Sequence, residues 1–352
     1  MTKYPIFSYT QSEFSSLFSK GKRFAGDLYR QWFKTGALAL DDPSFLQAKA
    51  CVEAIYEATD WTLPEIATVR AEGDTQKFLL RTHDNQMVES VCIPMKSQMT
   101  LCVSSQVGCR MGCTFCETGR MGLIRNLTAA EIVAQVFAAR FLLKSPIKRV
   151  VFMGMGEPFD NYDEVKQAIR VLCDQSGLAF GMQGITVSTS GKIDAILRLA
   201  ADADISPNLA VSLNAPNDAL RSKLMPHNRK ENMQALRQAI IEYTEKTSRQ
   251  VLLAYVLMKD VNDSLSNACE LIGYVSGLDA KVNLIPYNAQ SVDRFQAPDP
   301  EVVEAFAARL HEANIRVLVR RTKGRSIMAG CGQLGNAVFS RKIIIGADRM
   351  RL

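Results

Sequence analysis

The stretch Met99-Thr-Leu-Cys102-Val-Ser-Ser-Gln-Val-Gly-Cys109-Arg-Met-Gly-Cys113-Thr-Phe-Cys116 decides how the rest of the chain is read. Its first half is a β-type run. Its second half is a short glycine-bearing loop with cysteines spaced C-x3-C-x2-C, and Thr128-Ala-Ala-Glu131 follows as a capping box that opens an amphipathic helix. Three thiolates on one loop converge on a single soft metal centre, zinc or an iron–sulfur cluster. A structural zinc site closes its tetrahedron with four protein ligands, so three ligands favour a cluster with one iron left open. A reactive loop after the first of several parallel strands is also where a barrel enzyme carries its chemistry.

Outward from this loop, strand and helix alternate. Strands are expected at 99–106, 148–153, 184–189, 208–213, 251–258, 280–286 and 315–320. Helices are expected at 129–143, 162–175, 192–201, 231–247, 264–276 and 299–313. Regular βα alternation means parallel strands with right-handed crossovers. Six units without a dinucleotide-binding glycine fingerprint suggest an α/β fold, a TIM-like barrel or part of one. Before it, apolar positions such as Phe14, Leu17, Phe18, Phe24, Leu28 and Trp32 repeat at helical spacing, and Asp41-Asp42-Pro43 opens a helix running to about Tyr56. Short β runs at 67–70, 77–82 and 87–93 follow, separated by Glu72-Gly73-Asp74 and His83-Asp84-Asn85 turns. The expected division is a small helical domain at 1–62, a β-hairpin linker at 63–98, the core barrel at 99–320, and a mobile cysteine loop with a basic tail at 321–352.

With 352 residues, 47% hydrophobic and 22% charged, the chain is an ordinary globular protein, which excludes disordered and fibrous classes. The longest apolar runs fall far short of the ~20 residues of a membrane span, and the N-terminus has no signal-peptide core. The expected compartment is the cytoplasm, where nine cysteines do not form a disulfide framework.

A second motif, Val151-Phe-Met-Gly154-Met-Gly156-Glu157-Pro158, ends the second barrel strand. Its glycines would let the backbone approach a ligand, and Glu157 could accept a bond from a ligand amine. The chain resembles the radical S-adenosylmethionine (SAM) superfamily on these two motifs, with Phe115 as the aromatic residue before the last cysteine. It resembles the RlmN/Cfr family of radical-SAM RNA methyltransferases on Leu101-Cys102-Val-Ser-Ser-Gln-Val-Gly-Cys109, Arg125-Asn-Leu-Thr128, Met153-Gly-Met-Gly-Glu-Pro158, Leu209-Ala-Val-Ser-Leu213, Asn283-Leu-Ile-Pro-Tyr-Asn288 and Cys331-Gly-Gln-Leu334.

The resemblance implies the partial (βα)6 form of a TIM-like barrel, and a 4Fe–4S cluster on Cys109, Cys113 and Cys116, with SAM bound at the open iron. It implies SAM contacts from Gly156, Glu157, Ser188, Ser212, Leu213, Asn214 and Asn288. Two further cysteines would do the chemistry. Cys331 would take a methyl group from one SAM, and the 5′-deoxyadenosyl radical from a second would activate that group for addition to an adenine carbon. Cys102 would then resolve the Cys331–base tether, with Glu89 as proton acceptor. The expected product is C2-methyladenosine in 23S ribosomal RNA, and in transfer RNA as a further substrate. The alternative is C8 methylation of the Cfr kind. An electron donor such as flavodoxin and a monomeric chain are implied as well.

Three departures from the family pattern stand beside the site. Asn214 replaces a usual histidine, Lys323-Gly-Arg325-Ser326-Ile-Met328 replaces a usually acidic run before the mobile cysteine, and Gly330 replaces a usual alanine. Two other readings compete: a radical-SAM enzyme acting on a peptide or small molecule, and a non-catalytic RNA-binding protein with structural zinc. Cys102 and Cys331 oppose the first, because generating the radical needs neither.

The net charge of +6 is uneven. Residues 315–352 carry nine Lys/Arg and one acid, Asp348, while the remainder sums to −2. Arg320, Arg321, Lys323 and Arg325 therefore flank Cys331 and are expected to contact RNA phosphates.

Overall fold

The computed structural model describes residues 3–95, 98–290, 294–320 and 323–335. One ten-stranded sheet organises it, and its strands lie side by side in chain order. They are β1 (Glu65–Glu72), β2 (Thr75–Arg81), β3 (Met87–Met95), β4 (Gln98–Cys102), β5 (Ile147–Phe152), β6 (Ile185–Thr189), β7 (Asn208–Ser212), β8 (Val251–Leu257), β9 (Ala280–Pro286) and β10 (Val317–Val319). The first four are joined antiparallel. From β4 onward every pairing is parallel. Six βα units run from β4 to β9, and β10 adds a seventh parallel strand. Because β1 and β10 are the two edges, the sheet stays open. The expected linker hairpin is thus a three-stranded extension of the barrel sheet, with β3 hydrogen-bonded along β4.

The run expected as one strand at 99–106 is broken. β4 stops at Cys102 and pairing resumes at Gln106–Cys109, which forms a separate hairpin with Gly122–Asn126. The buried Gln135 side chain explains the break. It accepts from the Ser104 N–H at 2.8 Å and from the Ser90 hydroxyl at 2.7 Å, and donates to the Ser104 carbonyl at 2.9 Å. The chain thereby leaves the ladder with its backbone groups satisfied. This break turns the cysteine loop over the strand ends.

The N-terminal helices are Gln11–Ser16, Lys22–Thr35, Pro43–Leu46 and Lys49–Ala58. The last two replace the single helix expected from 43 to 56; Asp42 caps only the first of them, accepting from Ser44 N–H at 2.9 Å. Trp32 stacks on Phe137 of the first barrel helix at 5.1 Å, and Phe7 meets the same ring at 5.0 Å. These aromatics join the helical segment and the barrel in one continuous hydrophobic core. Among the described residues no helix is long and apolar enough to cross a membrane.

Candidate active site

A cavity lies over the C-terminal ends of β5 to β9. It reaches solvent and has a volume of about 160 Å³. Cys109, Cys113 and Cys116 form one wall, and Gly156, Glu157, Ser188, Ser212 and Asn214 form much of the other. These eight expected residues come from four separate chain segments, so the fold brings together what the motifs scatter.

Backbone bonds hold the cysteine loop in place: Thr114 N–H donates to Leu224 O at 2.9 Å and Cys116 N–H to Cys113 O at 3.2 Å. Burial pushes the Cys109 thiol up to about 12. Burial also raises Cys113 well above the usual thiol range, and the neighbouring Cys116 and Cys109 raise it further. Three thiols that penalise one another's ionisation in one cavity suit a cationic centre, which removes that penalty.

Among the described residues, the only group of three His/Cys/Asp/Glu with ligand atoms all within 4.8 Å is His83, Asp84 and Glu131. Arg125 occupies that cluster, bonding Asp84 at 2.7 Å and Glu131 at 2.8 Å. Cys109, Cys113 and Cys116 are three protein ligands on one cavity wall, one short of the four that close a structural zinc site. The donor set fits a multi-iron cluster better than a single zinc.

The glycines at the end of β5 serve the fold more than the sequence suggests. A Cβ on Gly154 would sit 2.7 Å from Val103 O and Ser104 Oγ, and one on Gly156 2.6 Å from Gln106 Cβ. Both directions point at neighbouring chain. Glu157 is 3% exposed, and its oxygens accept from Ser190 N–H at 2.7 Å and Phe159 N–H at 3.1 Å. Burial raises its pKa while these backbone bonds oppose the rise. Asn214 has a left-handed backbone, φ 58°, a conformation asparagine tolerates well. Its Oδ1 accepts from Val256 N–H at 2.9 Å. The side chain of Leu213 lies in the main core, its N–H donates to Ala254 O at 2.9 Å and its carbonyl accepts from Arg221 at 3.1 Å.

Cys331 lines this cavity and also a smaller neighbour bounded by Ile93, Asn288, Arg320, Lys323 and Gly330. Its segment docks directly on the cysteine loop. Glu117 N–H donates to Gly332 O at 2.8 Å, Thr118 Oγ1 to Leu334 O at 2.6 Å, and Gln290 bridges Phe115 O and Gly332 O. Asn288 donates to Cys331 O at 3.1 Å, and its Oδ1 is buried with no hydrogen-bond partner among the described residues. Cys102 lies beneath, in a small apolar cluster with Val91, Met155, Ile327 and Ala329. Burial pushes its thiol up to about 12; nearby Cys331 adds to the shift and Arg320 opposes it.

Glu89 is fully buried rather than a solvated strand carboxylate, and Lys77 Nζ lies 3.2 Å from its Oε2. Arg320 is half-buried in the smaller cavity, while Lys323 and Arg325 are exposed. Arg321 and the basic residues 341–351 lie outside the described residues. One residue escaped the sequence reading altogether. Arg221 is completely buried and donates to Ser190 O at 2.6 Å, Ser212 O at 3.0 Å, Leu213 O at 3.1 Å and Asn228 Oδ1 at 2.6 Å. It fastens the strand ends that form the cavity wall.

The profile of the Radical SAM superfamily matches residues 103–272. The probable dual-specificity RNA methyltransferase RlmN 1 of Protochlamydia amoebophila is 49% identical over 341 residues, 96% of this chain and 95% of that protein. The chain belongs to the RlmN family of radical-SAM RNA methyltransferases. The RlmN of Anaeromyxobacter sp. (strain Fw109-5) is 43% identical, covering 88% of this chain and 84% of its own. A radical SAM methyltransferase from Sphaerobacter thermophilus superposes with a TM-score of 0.87 at 38% identity, over 94% of this chain and 98% of its own. RlmN membership makes the chain an enzyme, and the superfamily implies SAM and an iron–sulfur cluster as its cofactors.

Proposed function

We propose that this enzyme methylates C2 of an adenosine in 23S ribosomal RNA, and of one in transfer RNA, with Cys331 as methyl carrier and Cys102 as resolving thiol. One observation carries the reading: Cys331 stands in the wall shared by two cavities, with Cys102 within electrostatic reach. A thiol so placed can be loaded from one cavity and meet a base in the other. The curated relatives' name, dual-specificity RNA methyltransferase, supports more than one RNA substrate.

Cys109, Cys113 and Cys116 would hold a 4Fe–4S cluster, and Glu157, Ser188, Ser212, Asn214, Asn288 and the backbone at Gly156 and Leu213 would hold SAM. When bound, the pair supplies the radical that activates the Cys331 methyl group. The buried Glu89 carboxylate, beside Lys77, takes the proton the ring carbon loses, and the one electron the adduct must also give up would return to the iron–sulfur centre that had supplied one for SAM cleavage. Cys102 then attacks the Cys331 sulfur. A Cys102–Cys331 disulfide forms, the carbon–sulfur bond breaks with its electron pair going to the base, and a proton completes the new methyl group. Two electrons from a thiol reductant restore both thiols. Arg320, Arg321, Lys323 and Arg325 would neutralise phosphates around the entry.

Mass spectrometry of adenosines from ribosomal and transfer RNA of a deletion strain, complemented with wild type, Cys331→Ala or Cys102→Ala, tests this scheme. The expectation is C2-methyladenosine with wild type only, and a covalent protein–RNA adduct with Cys102→Ala. C8-methyladenosine in the complemented strain would move the chain to the Cfr reaction, and free methylated RNA at normal yield from either variant would overturn the two-cysteine scheme.

A further inference from the structure

The segment carrying Cys331 is gripped by charged side chains from the antiparallel edge of the sheet. Glu72, the last residue of β1, accepts four hydrogen bonds from it. Its Oε1 takes the N–H groups of Gly324 at 3.0 Å and Arg325 at 3.2 Å; its Oε2 takes the N–H of Ser326 at 2.6 Å and the Ser326 hydroxyl. At the other end of the same turn, Lys77 of β2 donates to Met328 O at 3.0 Å while facing Glu89 at 3.2 Å. Lys323 reaches across to Pro94 O at 2.5 Å. Residues 324–329 close on themselves through Met328 N–H to Arg325 O and Ala329 N–H to Gly324 O. A carboxylate therefore sits on the free N–H groups of a single turn and an ammonium on its carbonyl end, which is how charge stabilises such a turn at both ends.

Composition agrees with this geometry. An acidic side chain at 325 or 326 would stand beside Glu72 and repel it. This chain has Arg325 and Ser326 there, and the hydroxyl becomes a fourth donor. Glu72 is only half-buried, so water can replace it. Lys77 is 3% exposed, so it keeps its partners more firmly.

We propose that Glu72 and Lys77 are positioning residues that clasp the 324–328 turn, hold Cys331 between the two cavities, and tie that docked state to Glu89. The proposal rests on the reading of Cys331 as the methyl-carrying thiol. The half-exposed Glu72 end is the one that releases, and the buried Lys77 end is the pivot. Releasing the Glu72 end frees the turn without disturbing the barrel.

Hydrogen exchange of the reconstituted full-length enzyme tests the clasp, because the amides of 324, 325 and 326 are the ones bonded to Glu72. In Glu72→Ala, exchange over 324–329 should quicken about tenfold, the loss of charge-assisted bonds at a half-exposed site. Peptides from β5 to β9 should keep wild-type rates. Glu72→Gln, which keeps one carbonyl acceptor, should fall between. SAM cleaved per RNA methylated should rise several-fold in Glu72→Ala and in Lys77→Met, as the radical forms with the carrier misplaced. Unchanged exchange over 324–329 in Glu72→Ala would overturn the proposal. So would faster exchange spread over the whole barrel, or coupling that stays at wild-type stoichiometry. Cys331→Ala with an intact clasp separates the two readings: continued methylation removes the carrier role and leaves the exchange result standing.

Discussion

Replacing Gly156 by alanine tests whether strand packing or ligand approach dictates that residue. Its φ of +102° lies where side-chain-bearing residues are strained, which costs about 1–3 kcal/mol. The new Cβ would also fall 2.6 Å from Gln106 Cβ and 2.8 Å from both Gln106 Cγ and Gln106 N. Forcing an extra carbon into such a contact costs about 1–3 kcal/mol more. Gln106 is poorly placed to yield. Its N–H donates to Met155 O at 3.2 Å, its Oε1 accepts from Glu157 N–H at 2.8 Å, and its Nε2 donates to Asn126 Oδ1 at 2.8 Å. The expected destabilisation of Gly156→Ala is therefore about 2–6 kcal/mol. Displacing Gln106 would carry Glu157 with it.

Urea unfolding under anaerobic conditions measures this, with Gly273→Ala as the control. Gly273 is exposed within the helix Leu265–Val275, and a Cβ there meets nothing within 4 Å. That substitution should stabilise by roughly 0.5–1 kcal/mol. SAM affinity is measured on the same preparations. A Gly156→Ala chain within about 0.5 kcal/mol of wild type, but unable to bind SAM, would refute the packing argument and return the glycine to ligand approach.

Further outcomes follow from the same geometry. Neutralising Arg320, Lys323 and Arg325 together should weaken RNA binding and flatten the log–log salt slope by roughly two to three units, while SAM cleavage on reduction persists; an unchanged slope would remove these residues from the RNA interface. The Cys102 thiol, pushed up to about 12 by burial, should alkylate slowly at neutral pH and ever faster toward pH 12, as read by peptide mapping. Because its folded value lies above the ordinary 9, the stability it lends is fully present below about pH 9 and is lost as pH rises through about 12, so half-maximal labelling near pH 9 would contradict its burial. Anaerobically purified protein should carry roughly four irons per chain, and a colourless preparation with one zinc would sink the cluster reading.

The residues proposed to hold cofactor were legible because their types are chemically committed. Three cysteines within eight residues have few other uses, and Gly156-Glu157, Ser212 and Asn214, at or just past strand ends, mark those ends locally. The six βα units were legible for a related reason: each strand and each helix carries its own periodicity, and parallel order follows from alternation. What holds these residues in place was not legible. Arg221 sits in Asp218-Ala-Leu-Arg-Ser-Lys-Leu224, which reads as a solvated helix turn, and it is buried only because that turn folds over the ends of β6 and β7. Lys77 in Thr75-Gln-Lys-Phe-Leu-Leu-Arg81 reads as an outward strand residue. Its carbonyl partner, Met328, is 251 positions away, and Glu72 is 252 from Gly324. No local pattern can encode a partner at that distance, because a lone charge in a strand or turn has the same appearance whether water or a distant backbone satisfies it. Metal and cofactor ligands escape this ambiguity, since their partner is the same small group wherever the chain goes. Positioning residues do not, since their partner is the fold itself. Arg325 and Ser326 suit a place beside Glu72 because neither sets a second negative charge against it, and that fit shows only once the fold brings the two segments together.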